Sequence, residues 1–149
     1  MSSVGNRLAY AAHLNSTIER WNFQLQFTDS NYDVDGGSGL LVVGAYGSSD
    51  TIPAKAIIYN CNEAYNLPVK CGPITKLTFY NHYNIMTEKS GGMTEDTIMN
   101  VTGVGVTAGG LYTYIDLVSA KNQPFIGGSM AGDANDWNTR LNLNVGFYF

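Results

Sequence analysis

From Arg20 to Asp29 the chain reads RWNFQLQFTD. Trp21, Phe23, Leu25 and Phe27 share one parity, and Arg20, Asn22, Gln24, Gln26 and Thr28 share the other. Such alternation predicts a β-strand with one apolar and one polar face. The last thirteen residues, WNTRLNLNVGFYF, repeat it. Trp137, Leu141, Leu143, Val145, Phe147 and Phe149 stand opposite Asn138, Arg140, Asn142, Asn144, Gly146 and Tyr148, with Thr139 the one polar member of the apolar set. Arg7–Asn15 sets Leu8, Tyr10, Ala12 and Leu14 against Arg7, His13 and Asn15. Ile74–Met86 sets Leu77, Phe79, Tyr83 and Ile85 against Lys76, Thr78, Tyr80, His82 and Asn84. Leu111–Lys121 sets Leu111, Ile115 and Leu117 against Tyr112, Tyr114 and Asp116. Ile98–Ala108 and Leu40–Tyr46 are strands by composition, with no facing assigned.

Several of these runs are eleven to thirteen residues long. Strands of soluble sheets usually have about five or six, whereas a tilted membrane-spanning strand needs about 9–11. The face opposite the apolar one carries Asn, Gln and Tyr rather than the Lys and Glu of a soluble sheet. Length and facing together predict an all-β fold, an antiparallel transmembrane β-barrel.

One segment departs from period two. In PAKAIIYNCNEAYN, Ala54, Ile57, Ile58, Cys61 and Tyr65 recur at helical spacing. Pro53 suits a first helical position, and Asp50 or Thr51 can cap it. The spacing predicts a short helix over 53–66, with a strand over AKAIIYN as the alternative. Cys61 and Cys71 are ten positions apart. They suit either a local disulfide, which would imply an oxidising compartment, or two free buried thiols. His13 and His82 are far apart and no CxxC occurs, so no metal or other cofactor is expected.

Connections then fall on two sides, since transmembrane barrels have short periplasmic turns and longer outer loops. Ala108–Leu111 and Asn15–Thr17 become periplasmic turns. Ser30–Ser38, Thr87–Thr97 and Asn122–Asp136 become outer loops, and the helix with its disulfide becomes the one long periplasmic connection. The count is seven strands. A bacterial single-chain barrel has an even number from eight upward, and MSSVGNRLAYAAHLN contains no signal-peptide pattern. Residues 1–149 therefore read as one segment, the C-terminal part of a larger barrel. Counting AKAIIYN as a strand gives eight and a complete small adhesin-like barrel.

Composition fits the same picture. Of 149 residues, 44% are hydrophobic and only 13% charged, against about 25% charged in typical soluble domains. Net charge −4 and pI ≈ 4.9 argue against nucleic acid as a partner. No GxSxG, HExxH, P-loop or paired-acid cluster occurs, so no enzyme is expected. A secreted β-sandwich that binds sugar or protein through Tyr and Asn is the soluble alternative.

The ending RLNLNVGFYF resembles the last strand of Gram-negative outer-membrane proteins. In that group a terminal aromatic and alternating apolar residues are read by the barrel-assembly machinery. Leu143, Val145, Phe147 and Phe149 match that signal. GGLYTYIDLVSAKNQPFIGG and ITKLTFYNHYN resemble the final hairpins of proteobacterial porins, broadly the phosphate-selective group. The resemblance covers about Ile74 to Phe149. It implies location in the bacterial outer membrane, lipid and the assembly machinery as partners, and passive diffusion of small hydrophilic solutes. Many such porins are trimers, so it also implies a homo-oligomer, with no interface legible in the sequence.

The expected pore lining follows from parity: Arg20, Asn22, Gln24, Gln26, Lys76, Thr78, Tyr80, His82, Asn84, Tyr112, Tyr114, Asp116, Asn138, Arg140, Asn142 and Asn144. Arg20, Lys76 and Arg140 face the single carboxylate of Asp116, which predicts a mild anion preference. Asp116 is expected to pair with Arg140 on the adjacent strand. Tyr10, Trp21, Tyr83, Trp137 and Phe147 are expected in aromatic girdles.

Overall fold

The computed structural model describes residues 5–45, 48–131 and 135–148. The strands are β1 (Gly5–Ile18), β2 (Trp21–Val34), β3 (Leu40–Ala45), β4 (Ser48–Pro53), β5 (Lys55–Cys71), β6 (Ile74–Thr87), β7 (Thr97–Ala108), β8 (Leu111–Lys121) and β9 (Trp137–Phe147). One 3-10 turn covers Pro124–Ile126. Seven strands form one antiparallel sheet in the order β1-β2-β5-β6-β7-β8-β9, and β3 and β4 form a separate hairpin. The fold is all-β. The sheet is open, with β1 and β9 as its edges.

The expected helix over 53–66 is a strand. Tyr59, Cys61, Glu63, Tyr65 and Leu67 alternate with Asn60, Asn62, Ala64 and Asn66, and β5 pairs along this length with both β2 and β6. Two ladders satisfy its backbone on both sides, whereas a helix here would need a core against which to bury its stripe. The apolar residues at helical spacing also fit a strand, because Ile57 and Ile58 supply both parities. The disulfide falls with the helix. Cys61 and Cys71 lie on one strand and both are free and exposed. Ten residues of strand separate them by about 33 Å, while a disulfide needs Cα atoms within about 7 Å.

Leu40–Tyr46 is likewise not a member of the main sheet. Its described part is β3, folded onto β4, and Tyr46 lies outside the described residues. The seven-strand count therefore holds with different membership, β5 replacing the Leu40 strand, and the count of eight does not. The first turn also moves. β1 continues through Asn15–Thr17 to Ile18, and the chain reverses at Glu19 (φ 54°) and Arg20.

With these corrections the connections sort cleanly. Glu19–Arg20, Gly72–Pro73 and Gly109–Gly110 close tight hairpins at one end of the sheet. The β3–β4 insertion, residues 88–96 and the described residues of the β8–β9 connection (122–131 and 135–136) all lie at the other end. No long connection remains at the short-turn end.

Register carries each strand's parity onto a common face. Asn142 stands opposite Asp116, Asp116 opposite Gly103, Gly103 opposite Tyr80, Tyr80 opposite Ala64, and Ala64 opposite Asn22. The other face collects Leu14, Leu25, Phe27, Tyr59, Ile85, Val104, Ile115 and Leu143. Large apolar side chains on that face are solvent-exposed, Leu141 at 75% and Leu143 at 66%. A polar seam crosses it, where Asn81 bonds Asn100 and Thr102, and Ser119 bonds Thr139.

Among the described residues, the buried apolar side chains are Ala54, Ala56, Met93, Ala120 and Met130. All belong to the long-loop end. There Lys89 Nζ donates to Met130 O (2.6 Å) and Thr97 Oγ1 (3.0 Å), Ser90 Oγ donates to Gly39 O (2.6 Å), and Asn122 Nδ2 donates to Asp96 O (2.8 Å). This small core ties the loops to one another. It covers the loop end of the polar face, where Ala56 and Ala120 are buried, and leaves the apolar face open.

Candidate functional site: the polar face of the sheet

Fifteen of the sixteen expected lining residues share one face, among them Gln24 on β2, Lys76, Tyr80 and His82 on β6, Tyr112 and Asp116 on β8, and Arg140 and Asn142 on β9. Arg20 does not join them. It occupies the β1–β2 turn, where its carbonyl accepts from Asn66 N (2.8 Å). Arg7 of β1 falls on the polar face instead, with its guanidinium 4.9 Å from the centre of the Tyr32 ring. The strand charges of this face are then Arg7, Lys76 and Arg140 against Asp116.

The sequence reading also missed Asn60, Asn62 and Asn66, which β5 presents on the same face. Their signal was present in the alternation of NCNEAYN, but helical spacing fitted the same letters. Asn66 Oδ1 accepts from Thr78 Oγ1 (3.0 Å). Nearer the sheet edge, Asn22 Nδ2 donates to Asn15 Oδ1 (2.7 Å) and Thr17 Oγ1 (3.0 Å), and Gln24 Nε2 donates to Asn22 Oδ1 (3.0 Å). These amide and hydroxyl groups bond one another, which lets the face carry few charges and stay wettable, while Asn62 Oδ1 is buried without a partner.

Asp116 is the focus of the face. It is 9% exposed. The Tyr80 hydroxyl donates to Oδ1, and Asn142 Nδ2 donates to Oδ2 at 2.9 Å. Gly103 lies beneath this pair, and a Cβ there would stand 2.5 Å from Asp116 Oδ1 and 2.6 Å from Tyr80 Cζ. The glycine is what allows the Tyr80 ring to lie against β7. Tyr80 also packs on His82 (centroids 5.0 Å) and on Tyr114 (6.2 Å). The expected Asp116–Arg140 pair is absent. Register puts Asn142 opposite Asp116 and Arg140 opposite Val118. Arg140 Nη1 turns to Phe125 O (3.4 Å) in the 3-10 turn.

That contact shows where the β8–β9 connection goes. It folds back over the polar face of β9, with Gly127 close to the Asn138 side chain as well. At the same end, burial holds the Lys89 ammonium below the ordinary lysine range, partly opposed by Asp96 and Glu95. Lys121 pairs with Glu95 at 3.8 Å.

Leu143, Val145 and Phe147 lie on the apolar side of β9, and Phe149 lies outside the described residues. Among the girdle candidates, Trp21 and Phe147 sit at the short-turn end, and Trp137 at the loop end of β9. Trp21 packs on Tyr65 (4.9 Å) and Phe23 (5.7 Å). No group of three metal-ligating side chains converges among the described residues, and no helix is long and apolar enough to cross a membrane. In comparisons with known proteins, the chain matches no family model, no curated protein and no solved structure.

Proposed function

We propose that this sheet is part of the wall of an outer-membrane porin, a passive channel for small hydrophilic solutes with a mild anion preference. One observation carries the reading: a register-locked sheet with a polar face, covered only at its loop end, and an exposed apolar face. In water, an apolar surface of this extent is an aggregation or interaction surface, and two open edges add to that liability. In a bilayer both problems vanish once further strands close the barrel, because lipid covers the apolar face and water fills the other.

Dimensions support it. The eleven residues of β9 extend about 33 Å, which at a tilt of about 40° gives roughly the 25 Å apolar band of such barrels. Short turns at one end and long loops at the other follow the outer-membrane pattern. β1 and β9 occupy the first and seventh places of an antiparallel sheet, so they run in the same direction. Antiparallel closure therefore needs an odd number of further strands between them, which supports reading the sheet as part of a larger barrel.

Arg7, Lys76 and Arg140 against Asp116 support the anion preference. Full-length protein reconstituted in planar bilayers tests the reading. Expected are ohmic channels, a reversal potential of anionic sign in a salt gradient, and a shift toward neutrality in Arg140→Ala. Cation selectivity, or no change on Arg140→Ala, overturns the preference. Solubility without detergent and no channel activity overturn the pore.

A further inference from the structure

Asp116 is a well-buried carboxylate to which no cation of the described residues is paired, although three cations share its face. Arg7 is held over Tyr32 and Arg140 bonds the Phe125 carbonyl. Register puts Lys76 opposite Thr107, and Thr107 opposite Tyr112, four residues along β8 from Asp116. Two neutral donors hold the carboxylate's shape without cancelling its charge. Beside it lies a hollow of about 370 Å³, lined by Ala64, Tyr80, His82, Tyr114, Asp116 and Asn144 among others.

The chemistry of that hollow is specific. The rings of Tyr80 and Tyr114 stand at 65° to each other on its wall, with His82 packed on Tyr80. A fixed negative charge meets them at one side. Aromatic faces attract a cation through their quadrupole, and the attraction grows when the site is partly desolvated. The face already uses this contact once, between Arg7 and Tyr32. A buried carboxylate also attracts a cation more strongly than one in bulk water does.

We infer that the Tyr80–Tyr114–Asp116 hollow is a subsite for the ammonium group of a permeating solute. It rests on the pore reading and gives a channel with cationic surroundings a place that selects for amines. Solutes that carry an ammonium and a carboxylate gain twice, since Arg7, Lys76 and Arg140 on the same face attract the acid end.

Choline is the probe, added to full-length protein in planar bilayers. Choline is expected to reduce the open-channel current, with a half-effect concentration raised at least about tenfold in Asp116→Asn. That variant keeps an acceptor for Tyr80 and nearly the same shape. Tyr114→Leu is expected to weaken block several-fold with Asp116 intact. An equal choline effect in wild type and Asp116→Asn overturns the subsite while leaving the pore. Block by glucose rather than choline also overturns it, in favour of a sugar site. If no channels form, the pore reading fails. Calorimetric titration of choline onto the detergent-solubilised protein then decides the subsite alone: binding lost in Asp116→Asn supports it, and no binding overturns it.

Discussion

The sharpest consequence of two unlike faces on one sheet is that neighbouring residues must respond oppositely to the same substitution. Leu143 and Asn144 are adjacent on β9, one on each face. The midpoint of β9 is Asn142, so Leu143 lies one residue from the centre of the strand. At about 3.3 Å per residue and a 40° tilt, that is about 2.5 Å from the bilayer midplane. An arginine on the lipid face at that depth costs about 2–4 kcal/mol, or roughly 30- to 900-fold in the folded population. Asn144→Arg places the same charge over water and is expected to stay within about 0.5 kcal/mol. Leu143 is 66% exposed to solvent in the isolated sheet, so a soluble protein would tolerate Leu143→Arg as readily as Asn144→Arg. The assay is reversible urea unfolding of the full-length protein in lipid vesicles, read by tryptophan fluorescence and by heat-modifiable migration. A Leu143→Arg change below about 0.5 kcal/mol, or equal losses for both variants, refutes the assignment of this face to lipid.

Further outcomes follow from the same structure. In vesicles, Cys71 near a tight turn is expected to react with a water-soluble maleimide and Cys61 on the apolar face to react only after unfolding, whereas a soluble sheet would label both; a mass consistent with a Cys61–Cys71 bridge would contradict the strand. Gly103→Val is expected to push Tyr80 off β7 and destabilise by about 1–3 kcal/mol in chemical denaturation, and it should weaken choline block with Asp116 unchanged. Asn122 is 2% exposed, adopts φ 56° and bonds Asp96 O; Asn122→Ala leaves that carbonyl unpaired at about 1–3 kcal/mol, seen as faster amide exchange in 88–96 and 122–131 before any change in the strands. Lys89 has a folded pKa below its ordinary 10.5, so between those two values the unfolded chain holds more protons and stability rises with pH. Thermal melting of Lys89→Met should lack that rise, and an unchanged slope would show that the ammonium is not desolvated.

Alternation along the chain is enough to give the unlike faces and most of the strands. In β2, β6, β8 and β9 most alternate positions are bulky and apolar, with interruptions such as Asp29, Asn81, Ser119 and Thr139, and such a period-two run reads as strand. The same letters placed Tyr80, Asp116 and Asn142 together on one side before any register was known, because parity survives every antiparallel pairing. Tertiary structure decided what parity leaves open. Residues 53–66 satisfy both a helical and a strand period, and only pairing with β2 and β6 chooses between them, by giving each backbone group a partner. That pairing excludes Leu40–Ala45 from the sheet, removes the disulfide and collects all long connections at one end. Register, which depends on where each turn closes, decided the rest. A reversal at Glu19–Arg20 takes Arg20 off the polar face and leaves Arg7 there, and the β8–β9 alignment sets Asn142 rather than Arg140 against Asp116. Local pattern fixes which way a side chain points, whereas only long-range pairing fixes what it meets.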